Sequence, residues 1–453
     1  MKTISKIHTN KFALYHIKII INLYSLGGLK MNNVGYLTES GKYFTQEEAI
    51  SEARRCLLCD DEYCSKNCPI DVNPKDIIKL VADEKIEEAV KTIREKNPLA
   101  AICARVCPYE SYCIGGCKNT ELKDPIMIPY IEKFLTEYEK DSNWKNENNE
   151  INVNLTGKKV AIIGSGPSGL TAAAFLARKG HSVTVFEVRE NLGGWLSYGI
   201  PPHRLPKHAI NQDLKYIEDL GVKFKTNCTV GKDITLDELR KDGYDAFLLS
   251  SGLNKGRILN IKGSQYKGVM SAVSFLADAK SHDGHIPVGK SAVIIGGGDV
   301  AMDCGTTAKF IGYDKVRIVV RCSLEEMTAS SKEYNYLKFV NVPVFDHFDS
   351  VEILGNEDNE VYAIKFKGTD DNSDLTIDAD TIIFAVGQMS EGIENIAPVE
   401  LDKRGTVITN NFKTSIVDIF ATGDIIQGQK TACYATSLGK EAAIEINKYL
   451  CNL

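Results

Sequence analysis

Histidine is scarce, with eight residues in a chain of 453. None is spaced with serine and aspartate for nucleophilic catalysis, or with another histidine for metal binding. No acid–base residue is therefore named, and any chemistry must come from a bound group. Positive charge is also short, with 54 Lys and Arg against 60 Asp and Glu and a net charge of −6. Without a basic field to hold phosphate backbones, nucleic acid is excluded as a partner. Long apolar runs are missing too: residues 17–29 are the nearest approach, and Lys18 and Asn22 interrupt them. That stretch is too short and too polar to span a bilayer, so no membrane partner is expected. The first thirty residues have neither acid nor arginine, which fits no transit peptide. Met31 is expected to be the true start, with 1–30 an extension. The remaining composition, 43% hydrophobic and 25% charged, is that of an ordinary globular protein. Its length suggests about three domains.

Cysteine, in contrast, is in surplus. Eight of thirteen fall in two runs: Cys56, Cys59, Cys64 and Cys68, then Cys103, Cys107, Cys113 and Cys117. Proline follows both Cys68 and Cys107. Thiolates at this spacing converge on metal centres, and a proline after a ligand turns the chain away once the thiolate is committed, so the pattern points to iron–sulfur clusters. Zinc sites or disulfides are the competing uses. A reducing, cytoplasmic compartment disfavours disulfides, and zinc gives no reason for the prolines. Cys228, Cys304, Cys322, Cys433 and Cys451 are scattered without a CxxC and are expected to be packing residues.

Around these runs the spacing predicts short helices. Thr45 and Glu48 form a capping box, Asn73-Pro74 starts a helix through Lys85, and helices follow over 86–96 and 128–140. An asparagine-rich linker covers 141–154. Strands then alternate with helices, the pattern of a parallel α/β sheet. After a strand over 159–163, Gly164-Ser165-Gly166-Pro167-Ser168-Gly169 fits GxGxxG, with Glu187 at the end of the next strand to accept from ribose hydroxyls. The same grammar returns after a strand over 291–295, as Gly296-Gly297-Gly298-Asp299-Val300-Ala301. There the ribose-sensing strand, 316–321, ends in Arg321 and not in an acid. An arginine can meet a 2′-phosphate, but one arginine does not decide between NAD and NADP.

Gly193-Gly194-Trp195, Gly199-Ile200-Pro201, Arg204-Leu205-Pro206 and Ala421-Thr422-Gly423-Asp424 resemble the flavin half of the glutamate synthase small-subunit superfamily, which also carries an eight-cysteine N-terminal domain. Cys56-Leu57-Leu58-Cys59, Asn97-Pro98-Leu99, Cys103 to Pro108, Ile294 to Asp303, Ala329 to Glu333 and Gly428 to Tyr434 most resemble the electron-input subunits of bacterial NAD-dependent dihydropyrimidine dehydrogenases.

The resemblance implies a multidomain fold: an α-helical double [4Fe–4S] domain over 31–142, a linker over 143–157, and two Rossmann-like dinucleotide domains. The FAD domain, 158–284 and 389–453, is split by an NAD(P) domain over 285–388. FAD is implied on Gly164, Gly166, Ser168, Gly169, Glu187, Gly194, Trp195, Arg204, Val230, Gly423, Asp424 and Thr431. NAD(P)H, with NADH favoured, is implied on Gly296, Gly298, Asp299, Val300, Ala301, Arg321 and Gly387. The family pattern places one cluster on Cys56, Cys59, Cys64 and Cys117, and the other on Cys68, Cys107, Cys113 and Glu132, leaving Cys103 a non-ligand. Glutamate departs from the usual glutamine at that position, and an anionic oxygen should lower the cluster potential. The expected partner is an FMN- and iron–sulfur-containing catalytic subunit in a hetero-oligomer, reducing uracil or thymine or running in reverse. Two alternatives stand beside this: a glutamate synthase small subunit or NAD(P)H:ferredoxin transhydrogenase subunit, and a zinc-stabilised flavin redox sensor without turnover.

Overall fold

The computed structural model describes residues 33–41, 43–121, 124–142 and 155–452. The expected extension 1–30 and most of the asparagine-rich linker lie outside them. The chain divides into two compact units.

The larger unit comprises Lys42–Ile200, Arg204–Lys255 and Gln388–Leu453. Its first part is helical. Thr45 and Glu48 close the capping box of helix Gln46–Ala53, and Asn73 caps Pro74–Ala82, which stops short of Lys85. Helices Ile86–Lys96, Ala100–Val106 and Ile128–Asp141 follow. Ala100–Val106 was not expected from the sequence. It carries Cys103 and ends at Cys107.

The rest of this unit is a five-stranded parallel sheet in the order Ile419–Ala421, Ala246–Leu249, Lys159–Ile163, Ser182–Phe186, Lys223–Lys225. Lys159–Ile163 sits at its centre and is buried beyond Lys159, which explains an unbroken apolar run with no alternation. Helices Pro167–Arg178 and Ala432–Leu450 cross closely at Gly439, where an added Cβ would lie 2.1 Å from the Ser168 carbonyl oxygen. A buried ion network joins the helical part to this sheet's layer. Arg94, with no exposed surface, donates to Asp213 at 2.6 Å and to Glu139 at 2.9 Å, and Asp213 also accepts from the Ile102 amide at 2.9 Å. Each buried charge is thereby paired and hydrogen-bonded, the condition for its burial to be tolerated.

Of the described residues, the smaller unit comprises 33–41, Pro201–His203 and Gly256–Gly387. Its parallel sheet runs Val269–Ser271, Thr381–Phe384, Ser291–Ile295, Lys315–Val319, Val344–Phe345. An antiparallel sheet of Phe348–Gly355, Val361–Gly368 and Asp374–Asp378 packs its apolar face, including Ile353, Ile364 and Phe366, into the same core. Helix Asn33–Leu37 packs on helix Asp299–Ile311, with Tyr36 fully buried.

Two expected boundaries are corrected. Val269–Ser271 pairs with Thr381–Phe384, so residues 256–284 belong with the second sheet and the division falls after Lys255, not after 284. The helical domain expected over 31–142 loses its first residues: through Gly41 the chain belongs to the smaller unit.

Candidate functional site

The cysteine runs do not form two consecutive sets of four. Cys56, Cys59, Cys64 and Cys117 line one small cavity together with Tyr63, Lys75 and Ile78. Cys56 follows helix Gln46–Ala53, and Cys64 lies on the short helix Tyr63–Lys66. Lys75 donates to the Cys59 carbonyl at 3.0 Å, and the Ile126 amide to the Cys117 sulfur at 3.5 Å. Burial raises the Cys56 thiol, with the charges of Cys117 and Cys59 adding to it, and raises Cys64, with Cys56 and Cys117 adding. These four therefore share one electrostatic neighbourhood.

Cys68, Cys107, Cys113 and Glu132 share another. Burial pushes Cys68 up to about 12, with the nearby charges of Glu132 and Cys107 adding. Cys113 is raised well above its ordinary value by burial, then by Glu132, Cys107 and Cys68. Glu132, on helix Ile128–Asp141, is pushed up to about 7 by burial. Cys103 stands apart from both sets. It is 3% exposed, on helix Ala100–Val106 in the same hydrophobic core as Cys433.

Crowded acidic groups that resist ionisation are what a cationic centre relieves. Among the described residues no three His, Cys, Asp or Glu converge closely enough to hold a single ion. The first four residues gather around one cavity, and the second four are linked by their mutual electrostatic influence.

The first glycine loop lies at the C-terminal end of strand Lys159–Ile163 and forms one wall of a cleft of about 590 Å³. Gly164, Gly166, Ser168, Glu187, Gly194, Trp195, Val230 and Asp424 line it. Gly164 needs its missing side chain: its φ is +105°, and a Cβ would lie 2.5 Å from the Ser250 carbonyl oxygen. Gly169 sits beneath the loop, where a Cβ would meet the Gly164 carbonyl oxygen at 2.3 Å. Gly423 abuts Ser168, and Thr431 caps helix Ala432–Leu450 by accepting from the Tyr434 amide at 3.2 Å. Arg204, Gly423 and Thr431 do not line the cleft itself.

Ser165 is the residue that sequence reasoning passed over. Its amide and hydroxyl both donate to one Glu187 oxygen, at 3.0 and 2.5 Å, and the Gly193 amide donates to its hydroxyl at 2.9 Å. Glu187's other oxygen accepts from the Arg189 amide at 3.0 Å. The acid thus braces the glycine loop as well as facing the cleft. A small polar residue between the first two glycines was the only available signal. Asp424 is pushed up to about 6 by burial.

Residues 33–144 match the family model described as dihydropyrimidine dehydrogenase domain II, 4Fe-4S cluster. Residues 158–439 match pyridine nucleotide-disulphide oxidoreductase. The NAD-dependent dihydropyrimidine dehydrogenase subunit PreT of Escherichia coli K12 is 40% identical over 420 residues, covering 93% of this chain and 98% of that one. The chain belongs to this PreT family. The glutamate synthase [NADPH] small chain of Escherichia coli K12 is 31% identical, covering 93% of this chain and 95% of its own. In fold, FprA from Mycobacterium tuberculosis in complex with NADPH superposes with a TM-score of 0.57 at 20% identity, over 65% of this chain and 85% of that one. This PreT-family chain is an iron–sulfur flavoprotein oxidoreductase using FAD, NAD(P)H and [4Fe–4S] clusters.

In the smaller unit the second glycine loop is built differently. Gly296, with φ +142°, would place a Cβ 2.3 Å from the Ala385 carbonyl oxygen. Gly298 caps helix Asp299–Ile311, whose first turn contains Val300 and Ala301. The segment 327–330 folds over the loop: the Thr328 and Ala329 amides donate to the Gly297 carbonyl at 3.1 and 3.0 Å, and the Ser330 amide to the Asp299 carboxylate at 2.7 Å. Strand Lys315–Val319 stops two residues before the exposed Arg321. Gly387, with φ +110°, closes this unit's chain. Among the described residues no helix is long and apolar enough to cross a membrane.

Proposed function

We propose that the chain is the electron-input subunit of a two-subunit pyrimidine oxidoreductase. In this reading NADH binds the loop at Gly296 to Ala301, FAD the cleft at Gly164 to Asp424, and two [4Fe–4S] clusters the sets Cys56/Cys59/Cys64/Cys117 and Cys68/Cys107/Cys113/Glu132. Once bound, these groups supply hydride transfer and single-electron transfer, and the protein supplies position and electrostatics.

The chain's own residues then have definite tasks. Gly164 and Gly166 let the backbone approach a pyrophosphate, and Glu187 accepts from ribose while holding Ser165. Asp424 accepts from hydroxyls of the ribityl-phosphate region. Arg321 meets the second dinucleotide from the exposed end of its strand. The thiolates neutralise iron, and Glu132 adds one anionic oxygen to the second set. The partner is a catalytic subunit carrying FMN, its own iron–sulfur clusters and the pyrimidine site, and the pair works in the cytoplasm, where thiols stay reduced.

One observation carries the reading: both ligand sets and the dinucleotide cleft belong to one compact unit. The test is activity of the purified chain alone. It should reduce artificial dyes with NADH and leave uracil untouched, and it should gain uracil reduction when the catalytic subunit is added. Uracil reduction by the chain alone would contradict the proposal.

A further inference from the structure

The dinucleotide cleft has a further wall, built from the stretch 388–396, to which no role has yet been given. Gln388, Glu391, Gly392, Asn395 and Ile396 line it. The wall is held firmly. The Asn254 side chain donates to the Glu391 carbonyl at 3.2 Å and accepts from the Glu391 amide at 2.9 Å, while Lys255 pairs with the Glu391 carboxylate. At its far end the Asn395 carbonyl oxygen would lie 2.2 Å from a Cβ on Gly231. Within the short strand Gln388–Met389 the side chains alternate: Met389 is 38% exposed, and Gln388 lines the cleft. The Nε2 of Gln388 is buried and finds no acceptor among the described residues. Other buried polar side chains share that condition, but of them Gln388 alone lines this cleft. A donor shielded from water without a partner costs stability, so it calls for an acceptor that the chain itself does not supply. The anchorage indicates which acceptor. Gly164, in the tight turn, packs on Ser250 and Ser251. Asn254, which holds Glu391, follows Ser251 by three residues, a reach of about 10 Å at most. The wall is thus anchored beside the turn at which backbone approaches a pyrophosphate.

We propose that Gln388 is an FAD-binding residue: its side-chain amide donates a hydrogen bond to a pyrophosphate oxygen of the flavin dinucleotide, from a wall that carries no glycine motif. The inference rests on reading the cleft as the flavin site. An amide suits the task. The anionic acceptor strengthens the bond, and the donor brings no charge that would have to be buried before FAD arrives. The glycine loop then approaches the pyrophosphate with backbone, and Gln388 with a side chain.

The test uses the anaerobically purified full chain with iron and FAD counted first. FAD release on dilution, followed by the recovery of free-flavin fluorescence, should give a dissociation constant about tenfold higher for Gln388→Leu, which removes the donor at similar size. Gln388→Glu keeps the shape and adds a charge that the pyrophosphate repels. Its loss relative to wild type should be larger, and should shrink as the pH is lowered from about 8 to about 5 and the carboxylate takes up a proton. Iron content and the flavin midpoint potential should match wild type in both variants, because a bond to the pyrophosphate does not sense the charge of the ring. Unchanged FAD affinity in Gln388→Leu would overturn the proposal. So would a shifted flavin potential, which would put the amide on the ring. If the leucine variant does not fold, the glutamate variant decides alone, and a loss independent of pH would overturn the proposal. Wild-type protein that purifies without FAD would instead overturn the reading of the cleft beneath it.

Discussion

The two glycine loops share a motif and differ in how they are held. At the first, the acid at the end of the second strand is buried and doubly bonded by Ser165, so loop and acid brace each other around a deep cleft. At the second, the corresponding strand ends before an exposed Arg321, and the loop is covered by amides of segment 327–330. A braced site suits a resident cofactor that must not leave between turnovers. A site with an exposed cation suits a nucleotide that binds and departs each cycle. Under the proposed assignment, the same fingerprint serves retention at the first loop and exchange at the second.

The largest effect should come from filling either loop. Gly164→Ala forces a Cβ against Ser250, and Gly296→Ala forces one against Ala385. Each strained position costs on the order of 1–3 kcal/mol before the clash is counted. The first variant should lose FAD, about a hundredfold in affinity, seen as colourless protein after gel filtration. The second should keep its flavin absorbance while losing reduction by NADH. Loss of FAD from both would erase the comparison.

Glu187→Gln should come next. It removes the charge from the bonds to Ser165 and Arg189, worth about 1.5–3 kcal/mol. FAD affinity should fall about tenfold with the KM for NADH unchanged.

Asp424 gives a smaller, pH-dependent effect. Its carboxyl is raised from 3.8 to about 6, so its charge is disfavoured by folding. That cost is absent below about pH 4, grows between pH 4 and 6, and is complete above pH 6. Asp424→Asn should stabilise the FAD-free protein by about 3 kcal/mol at pH 7 and leave it nearly unchanged at pH 4, measured by urea unfolding. An equal gain at both pH values would contradict this.

The smallest change belongs to Arg321→Ala. An exposed cation contributes about 0–1 kcal/mol, so the KM for NADH should rise less than about threefold. FAD content should not change.

Much of this contrast was legible in the sequence, because its signals are local. The Thr45/Glu48 box, the buried run Lys159–Ile163 and both glycine loops depend on neighbours a few residues away. What was not legible depends on distant chain. Val269–Ser271 is a three-residue strand whose sheet is set by pairing with Thr381–Phe384. Helix Ala100–Val106 is buried almost all round and shows no amphipathic period. The bond between Ser165 and Glu187 is a loop contact that no periodicity reports. Cys103 shows the limit most plainly. Spacing makes it a ligand, and its burial in a core built partly from the last helix is a long-range feature that spacing does not report.

The central claim is that eight residues in two interleaved sets make this a wire leading from the flavin. The most direct test is metal analysis of the anaerobically purified chain combined with a reductive titration using dithionite. The account predicts about eight irons per FAD and uptake of about four electrons, two by the flavin and one by each cluster. About two zinc ions per FAD with uptake of only two electrons would contradict it.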